Sequence, residues 1–249
     1  MEFYKSNAIL RIASVALFFL IWQTASLFIN IELLPSPAEV FFKIKEEAKT
    51  NELFFHTFIT LKRVFISFFI AMFIGTFFGI YMGRNKKLNV FLDDWLVLGL
   101  NVPALVIIIL CYVWFGLNEV AAILAVSLNK IPMVAVIMRE GARSIEKDYV
   151  EVAKFYKINK SKLFFKVIFP QLYPYLLSSA RSGLSLIWKI VLVVELLGRS
   201  NGVGFKLYGF FQFFDISGIL AYTLAFVFLI IIIEFIIVRP FERKISVWR

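Results

Sequence analysis

The sequence predicts an all-α membrane protein, a polytopic bundle of about six transmembrane helices with a basic helical loop on its cytoplasmic side. Three observations carry that class. Of 249 residues, 61% are hydrophobic and 30 are Phe, with a mean hydropathy of +0.84, far more apolar content than a soluble core of this size needs. The apolar residues gather into six runs, each near the roughly 20 residues that a helix needs to cross about 30 Å of hydrocarbon. The net charge of +10, from 27 Lys+Arg against 17 Asp+Glu, collects at the ends of those runs. That distribution orients helices in a membrane.

The runs fall at about 8–29, 60–82, 91–115, 119–138, 175–197 and 217–238, within a single domain over 1–249. The first is too long for the core of a cleaved leader and is read as a retained anchor. With both termini inside, 17 of the 27 Lys and Arg lie on inner segments and seven on outer ones. The inner set includes Lys5, Arg11, Arg239, Arg243, Lys244 and Arg249 near the termini. Positive charge inside therefore places the termini in the cytoplasm. Lys62 and Arg63 run against the trend and are expected at the outer headgroup level, with their stems along the helix.

Between the first two spans, Pro35 and Pro37 force an extended stretch, and Ser36 is positioned to cap a short helix whose first turn holds Pro37 and Glu39. In the second span, Gly75, Gly79 and Gly83 recur every four residues and form a face for close helix packing, more simply within the chain than between chains. Pro103 and Pro132 are expected to interrupt the third and fourth spans. The sixth run closes the bundle.

Several function classes are disfavoured. There is no Gly-x-x-x-x-Gly-Lys-Ser/Thr string to cradle phosphates, so the chain is not expected to hydrolyse ATP itself. His56 is the sole histidine and reads as an interfacial residue, and Cys111 is the sole cysteine and reads as a small buried apolar one. Neither a catalytic constellation nor a metal-ligand cluster is visible, so no catalytic residue, metal or bound cofactor is expected. No basic stripe interleaved with exposed aromatics points to nucleic acid.

The loop at about 139–174 carries the informative pattern. Glu151, Val152 and Ala153 open a lysine-rich amphipathic stretch; after three intervening residues comes Lys157, and after nine more Val167-x-Phe169-Pro170. This resembles the EAA loop of ATP-binding-cassette importer permeases, Glu-Ala-Ala, three residues, Gly, nine residues, Ile-x-Leu-Pro, with no gap. Val152, Lys157 and Phe169 depart from the pattern. With the glycine replaced by Lys157, Asn159 is expected to supply part of the left-handed bend. The resemblance runs from about Leu33 to Arg249 and looks closest to the nitrate, taurine and aliphatic-sulfonate branch. It rests on LLPSPAEV at 33–40, VWFGLNE at 113–119, the loop, FPQLYPYLLSSARSGLSLIW at 169–188 and ELLGRSNGVGF at 195–205.

The resemblance implies a bacterial inner-membrane subunit that works only with others: a second permease copy forming a homodimer, two cytoplasmic ATPases that use the ATP, and an extracytoplasmic solute-binding protein. The loop is then a coupling helix carrying Glu151, Val152, Ala153, Tyr156, Lys157 and Pro170, with Val150, Ala153, Tyr156 and Lys157 forming the docking face. A secondary transporter or channel is the alternative, and it leaves the basic loop unexplained. Charges inside the spans extend the reading. Asn129, Lys130, Trp188, Lys189 and Glu195 are candidates for a path that admits a small anion. The other account of Lys130 and Lys189 is structural pairing with Glu195 or Glu234, because a lone charge at mid-bilayer costs about 2.5–3.5 kcal/mol.

Overall fold

The computed structural model describes residues 2–29 and 33–238, with side chains at Leu10, 13–29 and 33–236. The terminal charges Lys5, Arg11, Arg239, Arg243, Lys244 and Arg249 lie outside these side chains. Among the described residues every regular element is helical. In order they are α1 (Glu2–Phe28), α2 (Pro37–Lys49), α3 (Glu52–Arg84), α4 (Lys86–Asn101), α5 (Ala104–Phe115) and α6 (Glu119–Arg143). Then come α7 (Lys147–Phe155), α8 (Lys160–Leu163), a π-helical turn (Phe164–Ile168), α9 (Phe169–Gly198), α10 (Val203–Gln212) and α11 (Ile216–Ile233). The all-α class stands.

Among the described residues three helices, α3, α6 and α11, are each long and apolar enough to cross a membrane, and the bent pair α4 and α5 would make a fourth. Of the other expected spans, 8–29 shows only a shorter apolar helix at Ala13–Phe28, and α9, which covers 175–197, is not apolar enough along its length to count. The stretch 91–115, expected as one span, is instead two helices, α4 and α5, bent by 97°. Pro103 is the cause: its ring excludes helical geometry at the residue before it, and Val102 is extended at φ −68°, ψ 123°. Pro132 behaves otherwise. It sits inside an unbroken α6 that runs on to Arg143, five residues past the expected end at 138. Its ring packs so near Gly99 of α4 that a Cβ there would lie 2.7 Å away. The expected loop at 139–174 is also shorter than its sequence limits, because α9 already begins at Phe169.

The bundle is built around α3 and α6, which run parallel in their most extensive contact, with α9 antiparallel against both. The glycine line of α3 makes that contact possible. A Cβ at Gly75 would meet Val134 at 2.6 Å, one at Gly79 the Ala135 carbonyl oxygen at 2.5 Å, and one at Gly83 the Ala142 Cβ at 2.6 Å. The glycine face is thus spent inside the chain. The opposite line of α3, Phe65, Phe69, Phe73 and Phe77, is exposed, as a lipid-facing surface should be. Cys111 is 2% exposed in the core beside Tyr112 and Ile108.

α2 begins as the sequence predicts. Ser36 Oγ accepts from Glu39 N (3.3 Å) and Glu39 Oε2 accepts from Ser36 N (2.7 Å), a reciprocal capping box with Pro37 in the first turn. Its last turns are clamped to α11 by Tyr222, whose hydroxyl donates to Glu47 Oε2 at 2.9 Å. The bundle has two distinct ends. α7 and α8 occupy one, here the loop end. α2, the turn 199–202 and α10 occupy the other, here the turn end.

Gly79→Ala is expected to destabilise the fold by about 1–3 kcal/mol, the usual penalty of forcing atoms into a full contact. Gly209→Ala, where a Cβ meets nothing within 4 Å, is the matched control. Thermal midpoints in detergent check this: equal midpoints for the two variants would contradict the close contact of α3 with α6.

Candidate functional site

At the loop end, α7 stops through a Schellman motif. Ile158 N donates to Ala153 O (3.0 Å) and Lys157 N to Lys154 O (2.9 Å). The motif requires a left-handed residue at the position after the cap, and Lys157 takes it with φ +50°. Glycine reaches that conformation without the strain of about 1 kcal/mol or more that a Cβ imposes. Asn159 does not supply the bend, contrary to expectation. It has φ −55° and caps α8 instead, its side chain accepting from Ser161 N at 3.3 Å. The bend falls on Lys157 itself, at the place where the EAA pattern has its glycine.

The same geometry divides the expected docking face. Ala153 is 3% exposed, and Val150 packs on the cluster of Val134, Met138, Ala142, Ile168 and Leu172, where α6 and the start of α9 meet. Both point into the bundle. Glu146 N donates to Gln171 Oε1 (3.0 Å), a second tie between α7 and α9. The outward face consists of Tyr149, Val152, Phe155 and Tyr156, of which Phe155 is 83% exposed. Glu151, Lys154 and Lys157 are exposed around it, and Pro170 is exposed in the first turn of α9. Phe155 was missed because the spacing rule tracks Glu151–Ala153 and not the apolar residue at the end of the turn.

At the turn end lies a buried ionic cluster that the sequence reading did not assemble. Arg63, expected among headgroups, is 2% exposed. Its Nε and Nη2 fork onto Glu119 at 2.9 and 2.8 Å, and Nη1 donates to Glu195 Oε1 at 2.8 Å. Its remaining donors go to the carbonyl and side-chain oxygens of Asn201. Arg199 adds a second cation, 3.0 Å from Glu119.

Glu195 is fully buried and holds the start of α10 as well: its Oε2 accepts from Gly204 N and from Thr60 Oγ1, both at 2.9 Å. Thr60 Oγ1 in turn accepts from Val203 N at 2.8 Å. Gly202 has φ +108°, and a Cβ there would sit 2.3 Å from the Glu195 carboxyl carbon, so only glycine fits. His56 is buried rather than interfacial. Its Nδ1 accepts from Gly202 N (2.9 Å), which leaves the proton on Nε2 to reach Glu52 Oε2 (3.1 Å). The neutral imidazole is therefore part of the turn's support. The i, i+4, i+7 spacing of His56, Thr60 and Arg63 was a readable signal of one helix face.

The five candidate path residues do not share one surface. Trp188 is 5% exposed, edge-on to Phe226 at 5.9 Å, and Glu195 is committed to Arg63, so both belong to the interior. Asn129 is half-buried. Lys130 is 6% exposed and has no ion pair or hydrogen bond among the described residues. Lys189 is exposed on the far side of α9, also without a partner among the described residues. Pairing of either lysine with Glu195 or Glu234 is not what the structure shows, since Glu195 pairs with Arg63 and Glu234 lies 3.5 Å from Arg181.

Residues 75–247 match the family model described as binding-protein-dependent transport system inner membrane component. The chain is 30% identical over 221 residues to the putative aliphatic sulfonates transport permease protein SsuC of Bacillus subtilis, covering 89% of this chain and 80% of that one. It is 26% identical over 246 residues to the taurine transport system permease protein TauC of Escherichia coli, covering 96% and 89%. It is 29% identical over 220 residues to the bicarbonate transport system permease protein CmpB of Synechococcus elongatus, covering 82% and 77%. In fold it resembles a subunit of the MetNI methionine ABC transporter in an inward-facing conformation, with TM-score 0.67 at 18% identity over 81% of this chain and 98% of that one.

Arg63→Met is expected to destabilise the protein by about 3–5 kcal/mol, because it strands a buried carboxylate. Adding Glu195→Gln to the same chain should recover part of that loss. Thermal melts of the single and double variants check it; a double variant no more stable than the single would show that the Glu195 charge is not what Arg63 neutralises.

Proposed function

The chain belongs to the binding-protein-dependent transport system inner membrane components and is the membrane-spanning permease subunit of an ABC importer; we propose that it carries a small oxyanion, of the sulfonate, taurine or bicarbonate kind, into the cytoplasm. The cargo class rests on what its relatives' names say they carry, and on two helix lysines, Lys130 buried and Lys189 exposed, that have no carboxylate partner among the described residues. The permease is proposed to act as a homodimer, multi-pass in the bacterial inner membrane with both termini cytoplasmic. Two ATPase subunits on the cytoplasmic side use the ATP, this chain binding none, and a solute-binding protein delivers cargo at the turn end.

One observation carries the coupling mechanism: an aromatic ridge exposed on a helix that is itself fixed to the bundle. Tyr149, Val152, Phe155 and Tyr156 offer apolar anchors for a socket on the ATPase, while Lys154 and Lys157 meet acidic groups at its rim. Val150, Ala153 and the Glu146–Gln171 bond pass the resulting push to α6 and α9. The α3 and α6 pair is locked by the glycine line, so it shifts as one body. From Arg84 to Arg63, 21 helical residues carry that shift about 32 Å to the ionic cluster. Alternating access then follows from rigid elements around a turn held by few segments.

Phe155→Asp is expected to lose copurification of the ATPase subunits and ATP-driven uptake of radiolabelled taurine or alkanesulfonate, with the thermal midpoint of the permease unchanged. Lys157→Gly, which relieves the left-handed strain, should keep both. Retained copurification in Phe155→Asp would refute the docking face.

A further inference from the structure

The exposed line of α9 runs Ser178, Arg181, Ser185, Lys189, Val193, Leu196, at steps of three and four residues that place all six on one stripe of the helix. The opposite stripe, Ser179, Gly183, Ile187, Val191 and Val194, is buried against the bundle. The exposed stripe is polar at four successive positions, from Ser178 to Lys189, over 11 residues or about 16 Å of helix. The exposed line of α3, on the same bundle, is Phe65, Phe69, Phe73 and Phe77. α9 runs antiparallel against α3, with Ser179 Oγ 3.8 Å from Met72 Sδ and Glu195 Oε2 2.9 Å from Thr60 Oγ1, so the two outward lines of opposite chemistry lie at the same height in the bundle. Only one of them suits lipid.

Lys189 has no partner among the described residues, and Arg181 is half-exposed with its guanidinium 3.5 Å from Glu234. A lysine at that depth that faced hydrocarbon would carry a large insertion penalty, so it faces water or a polar surface in the assembled protein. Ser185 Oγ donates to the Ser182 carbonyl at 3.0 Å within the helix, and the Lys189 ammonium one turn on supplies the net positive charge of the stripe, which attracts a small oxyanion and repels a cation. Val193 and Leu196, 39% and 40% exposed, continue the line towards the turn end as an apolar lip.

We propose that the Ser178, Arg181, Ser185 and Lys189 stripe of α9 is the wall of the translocation path, and that it selects a small oxyanion. This rests on the permease reading and moves the path away from Trp188 and Glu195, which are buried on the adjoining face of the same helix. Lys189 is its specificity-determining charge, and Ser178 and Ser185 are the small polar residues that line the stripe beside it.

The test uses single-cysteine variants Ser178→Cys, Ser185→Cys and Phe73→Cys in a Cys111→Ala background, with the permease and its ATPase subunits assembled in membrane vesicles. Each is treated with an anionic sulfonatoethyl and a cationic trimethylammonioethyl methanethiosulfonate, and rates are normalised to those of a free thiol in solution. Ser178→Cys and Ser185→Cys should be labelled, Ser185→Cys about tenfold faster by the anionic reagent, as expected for one unit charge within a helical turn or two. Lys189→Gln should remove that preference, and Phe73→Cys should react with neither. Unreactive cysteines at both serine positions, or equal normalised rates for the two reagents, would overturn the proposal. Copurified ATPase subunits in these same vesicles read the permease assignment separately, so failure of the path and failure of the assignment are distinguishable.

Discussion

The guanidinium of Arg63 is the constraint on which the turn end depends. It offers five N–H donors in a rigid plane, and all five are taken. The acceptors come from α6, α9 and the 199–202 turn, while the donor comes from α3. Only one arrangement of those four segments satisfies every bond. Such a pair gains little over apolar packing of the same volume, because both charges leave water. What it does is specify geometry: a shift of any segment exposes a half-satisfied charge to a low-dielectric interior. The interior therefore favours discrete arrangements over gradual drift, the property a gate requires.

That specificity reaches the loop end because the elements between are stiff. Glycines at every fourth position bring the backbones of α3 and α6 into contact, and close-packed interfaces of this kind do not deform continuously. α7 is tied to α6 and α9 through Ala153, Val150 and Gln171, so a push on its aromatic ridge is a push on the bundle. The ridge itself is aimed by the Schellman turn at Lys157. A strained residue at that point keeps α7 short and turns the chain sharply into α8, which leaves Phe155 and Tyr156 pointing away from the protein.

Much of this was legible in the sequence, and the rest failed for physical reasons. The all-α class, the α2 capping box, the inward use of the glycine line and the loop spacing follow from local chemistry, where period and cap decide the outcome. The break at Val102 was half-legible: a proline signals a bend, but whether it bends or sits in a continuous helix depends on packing, as Pro132 shows. Asn159 and the 150/153 face were misread because a turn's left-handed residue is set by hydrogen-bond register rather than by propensity. Arg63 and His56 were misplaced for a different reason. A charge near a span end looks solvated until partners more than 50 residues away, Glu119 and Glu195, are brought to it by tertiary structure.

The fate of each charge then separates the structural ones from the working ones. Arg63, Glu195 and Glu119 are mutually satisfied, and cargo that disturbed them would have to strip bonds already made. Lys189 is the converse. It is displayed on the outer stripe of a helix packed along α3, with no acid to meet it among the described residues, in a chain that lines the outer stripe of α3 with phenylalanine. Burial of Lys130 without a partner belongs to the interior of α6 and is not continuous with that stripe. A path for an anion needs cations that are not spent on structure, reached from water and set apart from the bonds that hold the bundle shut. On α9 the two requirements are met by different faces of one helix, about 120° apart: Glu195 is turned inward and spent on Arg63, and Lys189, six residues before it, is turned outward and unpaired among the described residues.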